Sequence, residues 1–596
     1  MSASRLPGGR TTALVLQAES LFTSGKLEDA ERTLQRALQT SPSDPNANNM
    51  MAVVMHAKGD MPRAAYFAER AVEADPKDPR YPANLGQFLL QSGKPDRARK
   101  VLEKAIAKHP THAELHNVLA MLLSLSSEFV ASARVSRAGL DHNPMHEGLA
   151  STHVSTMVEM GRIDEGLRVI RDAAAAHPES ATILGQWAHI SQYVEAITPS
   201  DLKGVHDRFG TLCRRIRPEL PLPAAPARDP SRPLRVGIVS SDLRTHSVAF
   251  FIEPFLAGHD RGAFEVLCYA TGPEDSTTAR LKANAHTWRT CVNMDDRTLT
   301  QVLRADRLDL AIELNGHTNS GILLALAPRV APVQATYLGY PGTTGVPAID
   351  WRVVDRHTDP DGPAFDAQAS ERLWRMDGPF LCYRPIEDAP EVAPPPSAAS
   401  PDEPIRFGSF NAIAKVNARV VGLWARVLNA VPNSRLVLKS SSLIDAALRD
   451  EVRERLTRFG LDPSRLDIVS PTLGVRDHLA QYAKVDIALD TYPYHGTTTT
   501  CEAIHMGVPV VTLAGDRHAS RVGISLLKSL GLGELIATTD DEFVLIASRL
   551  AGDRNGLSTL RSSLRGRLAF SPLCDRDGFC RRFEDAIRHM IAAPSR

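Results

Sequence analysis

Five positions, Gly25, Gly59, Gly93, Ser127 and Gly161, recur at a constant interval of 34 residues along the first part of the chain. Pro42, Pro76, Pro110, Pro144 and Pro178 keep the same interval. Small residues recur between them, at Ala30, Ala64, Ala98, Ser132 and Gly166, and again at Ala37, Ala71, Ala105, Gly139 and Ala173. Small side chains at a fixed place let paired helices approach closely, and a proline after each second helix forbids its continuation. The pattern predicts stacked helix pairs over residues 11–180, with Ala18, Leu21, Leu34 and Leu38 on the buried side of the first pair.

The interval is the tetratricopeptide period, and such stacks hold extended polypeptide on a concave face. A protein or peptide partner is therefore expected. Residues 181–216 continue as helix, with Trp187, Tyr193 and Phe209 available to cap the last repeat. The proline-rich run at 217–233 reads as a semi-rigid linker, so that 181–233 form a cap and joint.

Beyond the joint the period changes. LRVGIVSSD (234–242), FEVLCYA (264–270), WRTCVNM (288–294), LDLAIEL (308–314) and WRVVD (351–355) read as strands with helices between them. They predict a parallel α/β lobe over 234–385. A second proline-rich stretch, 386–404, leads to IRFGSFN (405–411), RLVLKS (435–440), RLDIVS (465–470), DIALD (486–490) and PVVTLAG (509–515), a second α/β lobe over 405–596. Two such lobes with a cleft between them make the GT-B architecture, in which ligands bind beyond the carboxyl ends of the strands.

Composition narrows the class. A chain of 596 residues has room for about four domains. Its 43% hydrophobic and 23% charged residues are ordinary for a soluble protein. Lys plus Arg equals Asp plus Glu at 69 each, so bulk charge favours neither nucleic acid nor an anionic membrane. Seven cysteines, none in a CxxC pair, support neither a disulfide framework nor a zinc site. No apolar run approaches the roughly 18 residues of a membrane span, and the N-terminus has no secretory core. A reducing cytoplasm is the expected setting.

The segment DIALDTYPYHGTTTTCEAIHMGVPVV (486–511) carries the most chemistry. A strand ends at Asp490 and a helix is predicted to start near Thr499 or Thr500. Free N–H groups at that start, with the hydroxyls of Thr497, Thr498 and Thr499, suit phosphate oxygens. Glu502 could accept from two ribose hydroxyls; a capped helix with an acid that suits the dipole is the competing reading. Lys415, in FGSFNAIAKVNARVVGLW (407–424), stands between a strand and a helix facing the same cleft, where it would neutralise a departing diphosphate. His246, at a helix start in 235–255, could orient or deprotonate an acceptor hydroxyl, or contact a sugar. For a single lysine, or for His478 after RLDIVS, a solvated or structural role is the default. The loops LNGHTNSG (314–321), with His317 and Thr318, and YLGYPGTTG (337–345), with Gly339, Pro341, Gly342 and Thr343, are rich in residues that let a sugar approach the backbone. Asp359-Pro-Asp361 is formally DxD but reads as turn chemistry, so no metal is expected.

Together with the repeats, RVGIVSSD followed by His246, APVQATYLGYPGTTG, FGSFN with Lys415, and GTTTTCEA resemble the protein O-GlcNAc transferases, family 41 of the glycosyltransferases, over nearly the whole chain. The resemblance implies inverting, metal-independent transfer of GlcNAc from UDP-GlcNAc to serine or threonine hydroxyls of proteins, without a cofactor. It implies His246 beside sugar and acceptor, Lys415 at the leaving diphosphate, His478 near the nucleotide, Thr498 and Thr499 on its phosphates, and Glu502 on the ribose where animal enzymes have an aspartate. The large insert of animal enzymes is missing, and Ala412 and Thr497 replace a glutamine and a histidine that touch the nucleotide there. THSVAFFIEPF, ELNGHT and GTTTTCEA are similar to the plant SPINDLY-type branch, which implies GDP-fucose as an alternative donor. A sugar-nucleotide epimerase or hydrolase, and a repeat adaptor with a non-catalytic lobe pair, are further alternatives. Tetratricopeptide surfaces also offer a homodimer contact.

Overall fold

The computed structural model describes residues 7–222, 232–472 and 474–593; the middle of the proline-rich joint, 223–231, lies outside the described residues. The chain forms two compact units, Met1–Met157 and Val158–Arg596.

The first unit holds the helix pairs α1 (Pro7–Thr23) and α2 (Leu27–Thr40), α3 (Pro45–Ala57) and α4 (Met61–Ala74), α5 (Arg80–Gln91) and α6 (Pro95–Ile106), α7 (Ala113–Leu125) and α8 (Phe129–His142), and most of α9 (Glu147–Glu159). The periodic glycines have a backbone reason: Gly25, Gly59 and Gly93 lie at φ +74°, +80° and +70°, and Ser127 follows at +60°. Each ends the first helix of its pair in the left-handed conformation that glycine adopts most readily. The next N–H then reaches back five residues, from Lys26 to Leu21, Asp60 to Met55 and Lys94 to Leu89, each at 2.9 Å. The periodic Ala30, Ala64, Ala98 and Ser132 are fully buried.

The second unit opens with the end of α9, then α10 (Ile163–Ala176), α11 (Ala181–Ser191) and α12 (Pro199–Ile216). The boundary between the units therefore falls inside the fifth repeat, whose helices are α9 and α10. The cause is packing onto the α/β part. A Cβ at Gly161 would lie 2.6 Å from the Ile413 carbonyl oxygen, and one at Gly210 would lie 1.7 Å from that of Gly345. Arg162 Nε donates to Glu451 Oε1 at 2.8 Å, and His206 Nε2 meets the Tyr340 hydroxyl at 2.7 Å.

Two parallel sheets follow. The first comprises β1 (Leu234–Ser240), β2 (Phe264–Ala270), β3 (Thr287–Thr290), β4 (Leu310–Glu313), β5 (Val333–Thr336), β6 (Trp351–Asp355) and β7 (Arg372–Met376), in the order β3-β2-β1-β4-β5-β6-β7. The second comprises β8 (Ile405–Ser409), β9 (Ser434–Leu438), β10 (Leu466–Ile468), β11 (Ile487–Leu489), β12 (Val510–Leu513) and β13 (Ile536–Ala537), in the order β10-β9-β8-β11-β12-β13. Tetratricopeptide helices followed by two Rossmann-like lobes are the predicted fold class. Strand order reverses between β1 and β4 and again between β8 and β11, the crevices where open sheets of this kind take ligands.

The helix Arg576–Ala592 does not stay with the lobe predicted over 405–596. Its Phe583 lies 4.8 Å from Phe255 and 5.0 Å from Tyr337, in the first lobe. Among the described residues, no helix is long and apolar enough to cross a membrane.

Candidate functional site

Both switch points open into one cavity of about 370 Å³. The first lobe lends Thr245, His246, Ser247 and Phe250; the second lends Phe410, Lys439, His478, Thr498 and Glu502, among others.

His246 follows β1 as the N-cap of helix α13 (Ser247–Gly258), its Nδ1 accepting from the Val248 N–H at 3.3 Å. In the neutral ring the hydrogen then sits on Nε2, a donor toward the cleft. Burial pushes the His246 pKa down, and the Asp242 carboxylate, 3.7 Å from Nδ1, opposes that shift. To act as a base through Nε2, the ring would have to exchange the Val248 contact for Asp242. Asp242 is itself held by Asn315 Nδ2 at 2.7 Å, and Asn315 by the loop after β4, whose Asn315 and Gly316 N–H groups donate to the buried Glu313.

The helix Thr498–His505 starts one residue earlier than predicted. Two hydroxyls are engaged within the loop: Thr499 Oγ1 donates to Asn411 Oδ1 at 3.0 Å and Thr500 Oγ1 to the Gly496 carbonyl at 3.1 Å, while Thr497 holds the N-cap position without a side-chain cap bond. Thr498 Oγ1 is buried with no hydrogen-bond partner among the described residues, and it lines the cavity. An unsatisfied buried hydroxyl beside the free N–H groups of a helix start is suited to an anionic oxygen. Gly496 makes room for this cluster, since a Cβ there would come within 2.4 Å of Thr499 Oγ1.

Glu502 is almost fully buried, and its Oε2 accepts from His478 Nε2 at 3.0 Å and from the Tyr482 hydroxyl at 3.3 Å. On the other side of the ring, Lys439 Nζ donates to His478 Nδ1. The chain Lys439–His478–Glu502 thus fixes one tautomer and leaves Glu502 Oε1 for a ligand. Burial lowers the Lys439 pKa against the pull of Glu502. The sequence reading missed Lys439; its place just past β9, next to the switch strand, was the available signal.

Lys415 is absent from the lining of this cavity. Its Nζ donates to the His495 carbonyl at 2.8 Å and stands 4.2 Å from the Tyr494 ring centroid, against the threonine loop. Burial brings its pKa down to about 8, opposed by Asp490.

The residues assigned to a sugar or acceptor side separate. Thr318 is exposed and donates to the Asn315 carbonyl, near Asp242. Gly339 is half-buried and packs its Cα against the Leu314 carbonyl, 1.7 Å from where a Cβ would stand. His317 is buried instead, its Nε2 on the Thr344 carbonyl at 2.8 Å and its ring edge-on to Phe209 at 4.8 Å. Pro341, Gly342 and Thr343 line a different small cavity, with Gln192 and His206, because the loop turns toward α11 and α12. The two aspartates of the DxD also part company. Asp359 is buried on His518 Nδ1 at 2.5 Å, while exposed Asp361 meets Arg356 at 3.0 Å. No group of three or more His, Cys, Asp or Glu suited to a metal occurs among the described residues.

Residues 203–383 and 395–583 match the family model described as Glycosyl transferase family 41, and 15–79 and 55–122 match tetratricopeptide models. A probable UDP-N-acetylglucosamine–peptide N-acetylglucosaminyltransferase SPINDLY of Petunia hybrida is 43% identical over 369 residues, 61% of this chain and 39% of that protein. A UDP-N-acetylglucosamine–peptide N-acetylglucosaminyltransferase of Caenorhabditis elegans is 25% identical over 471 residues, 60% of this chain and 40% of its own. The chain thus spans about two-fifths of the length of the curated relatives it matches. A solved variant of the Thermobaculum terrenum O-GlcNAc transferase superposes with a TM-score of 0.68 at 31% identity, covering 99% of this chain and 98% of that one.

Proposed function

Since the chain belongs to glycosyl transferase family 41, we propose that it transfers GlcNAc from UDP-GlcNAc to serine or threonine hydroxyls of a protein that the repeats recruit. The observation that carries this reading is the shared cavity, in which His246 of one lobe faces Thr498, His478 and Glu502 of the other. Thr498 and the N–H groups behind it take the diphosphate, Glu502 Oε1 takes ribose hydroxyls, and Phe410 with His478 walls the base. The acceptor oxygen attacks the anomeric carbon from the face opposite the diphosphate, and its hydroxyl proton passes to solvent at the cleft. The bond to the phosphate oxygen breaks, and its electron pair leaves with the diphosphate. Lys415, fixed behind the threonine loop, adds positive charge where that negative charge grows. His246 donates from Nε2 to an oxygen of the sugar or the acceptor. We propose no metal in this reaction: Asp359 and Asp361 hold separate partners.

The greater identity to SPINDLY relatives, 43% against 25% for the Caenorhabditis elegans protein, supports a second reading, the GDP-fucose donor that resemblance to that branch implies. Calorimetry with UDP-GlcNAc and with GDP-fucose separates the two. Saturable binding of UDP-GlcNAc alone supports the first reading, and binding of GDP-fucose alone replaces it. Conversion of either sugar nucleotide without a protein acceptor would favour hydrolase or epimerase chemistry.

A further inference from the structure

The loop after β8 touches two cavities. Its Phe410 and Ala412 line the site above, while Val416 and Asn417, just past Lys415, line a groove of about 880 Å³ bounded by α10, the turn after α11 and the helix Ala446–Arg458. The two are linked through stacked rings: Tyr193 of the groove lies 5.0 Å from Tyr494, over which Lys415 sits.

Charge in the groove is unbalanced. Arg162 is paired with Glu451 at 2.8 Å and with Glu165 at 3.5 Å, and Arg419 with Glu195 at 2.5 Å. Arg168 and Arg458 are exposed and make no ion pair or side-chain hydrogen bond among the described residues. Arg455 gives Nη1 to the carbonyls of Met160 and Gly161, at 2.9 and 3.2 Å, but its Nη2 is buried without a partner. Arg162 and Arg458 both repel its charge, with Glu451 opposing. The remaining acid, Asp164, is exposed in the first turn of α10. Apolar surface from Ile163, Val416 and Phe459 completes the wall. Guanidinium groups left over beside apolar surface suit carboxylates on an extended chain.

We infer that this groove receives the acceptor polypeptide and selects segments with aspartate or glutamate near the modified hydroxyl, an inference that rests on the protein-transferase reading. Cation surplus supplies the selection, and the loop after β8, which lines both cavities, sets the groove beside the cleft.

The test uses the full chain and two fluorescein-labelled synthetic peptides, one with a serine flanked on both sides by aspartates and one with asparagines in their place. Anisotropy at low salt is expected to show roughly tenfold tighter binding of the acidic peptide, a gap that shrinks as salt screens it. Arg168→Glu with Arg458→Glu should abolish the gap, and Arg168→Gln with Arg458→Gln should narrow it. Donor binding by calorimetry should stay unchanged in both. Equal affinity for the two peptides, or a gap that survives the charge reversal, overturns the inference. Transfer is followed beside binding. Charge-dependent binding without transfer upholds the groove and refutes the transferase reading. Transfer without charge dependence does the reverse.

Discussion

Lys415 Nζ and the carbonyl oxygen of His495 lie 2.8 Å apart, a bond that ties the loop after β8 to the loop after β11. It fixes an ammonium beside the helix start at Thr498 before any ligand arrives. Such preorganised charge matters most when negative charge develops. Lys415→Met is expected to lower kcat by about 10²–10³-fold, the range for removing one such donor, with a smaller change in donor affinity. Steady-state kinetics with calorimetry on the same variant checks the split.

The pH profile offers an independent reading of the same group. Burial takes the Lys415 pKa down to about 8, so the free enzyme loses this charge as pH rises through that value. The kcat/KM for donor, which reports groups of the free enzyme, should fall on the alkaline side of about 8. That limb should vanish in Lys415→Met. A limb that persists there assigns it to another residue.

His246 serves as helix cap and faces the cleft, and two substitutions separate the tasks. Asparagine keeps an acceptor for the Val248 N–H, whereas alanine gives it up at about 1 kcal/mol. His246→Asn is therefore expected to match the wild type in thermal unfolding, and His246→Ala to melt lower. Neither presents a donor at the position of Nε2, so kcat/KM should drop by about 10²-fold in both. Recovery of activity by asparagine would reduce the histidine to a cap.

Glu502 is expected to act on donor binding rather than turnover. Hydrogen bonds to a charged group contribute about 1.5–3 kcal/mol, so Glu502→Ala should raise the donor KM roughly 10- to 100-fold with kcat little changed. Lys439→Met, acting through the His478 ring, should shift KM in the same direction by less. Initial rates over a donor series decide both.

Asp359 holds the lobes together. Its carboxylate meets His518 across the lobe boundary at 2.5 Å, with Arg352 at 3.6 Å, and its pKa is depressed to about 2. Asp359→Asn leaves the buried Arg352 guanidinium uncompensated and should cost roughly 3–5 kcal/mol in urea unfolding. Because the folded pKa is lowered, the carboxylate's contribution is complete above the ordinary aspartate range, near pH 4. It is lost as pH falls toward about 2. Wild-type turnover should be unaltered in excess EDTA; loss of activity restored by Mg²⁺ or Mn²⁺ would reverse the metal-independent proposal.

What the sequence disclosed follows from how local each signal is. A 34-residue beat survives because each of Gly25, Gly59 and Gly93 answers one backbone demand, a left-handed turn that its own neighbours impose. Strands such as FEVLCYA stood out because both faces are largely buried and the run is apolar but for Glu265. VQAT at β5 hid because its buried Gln334 is satisfied by distant carbonyls, those of Leu326 and Ala348. The two-residue β13 has no pattern to read. In the site, Thr498 and Glu502 were legible from one contiguous segment. Lys439 acquires meaning only through His478, 39 positions away. His317 was misplaced because nothing local announces that Phe209 and His206 will close over it.

The return of the helix Arg576–Ala592 to the first lobe has a bearing on biosynthesis. Phe255 and Tyr337 belong to the first sheet's surroundings, yet the ring that covers them, Phe583, follows far later in the chain. A nascent chain emerging from the ribosome must therefore carry that apolar patch uncovered while some 240 further residues are made. The helical repeats, built from neighbours in sequence, can form long before.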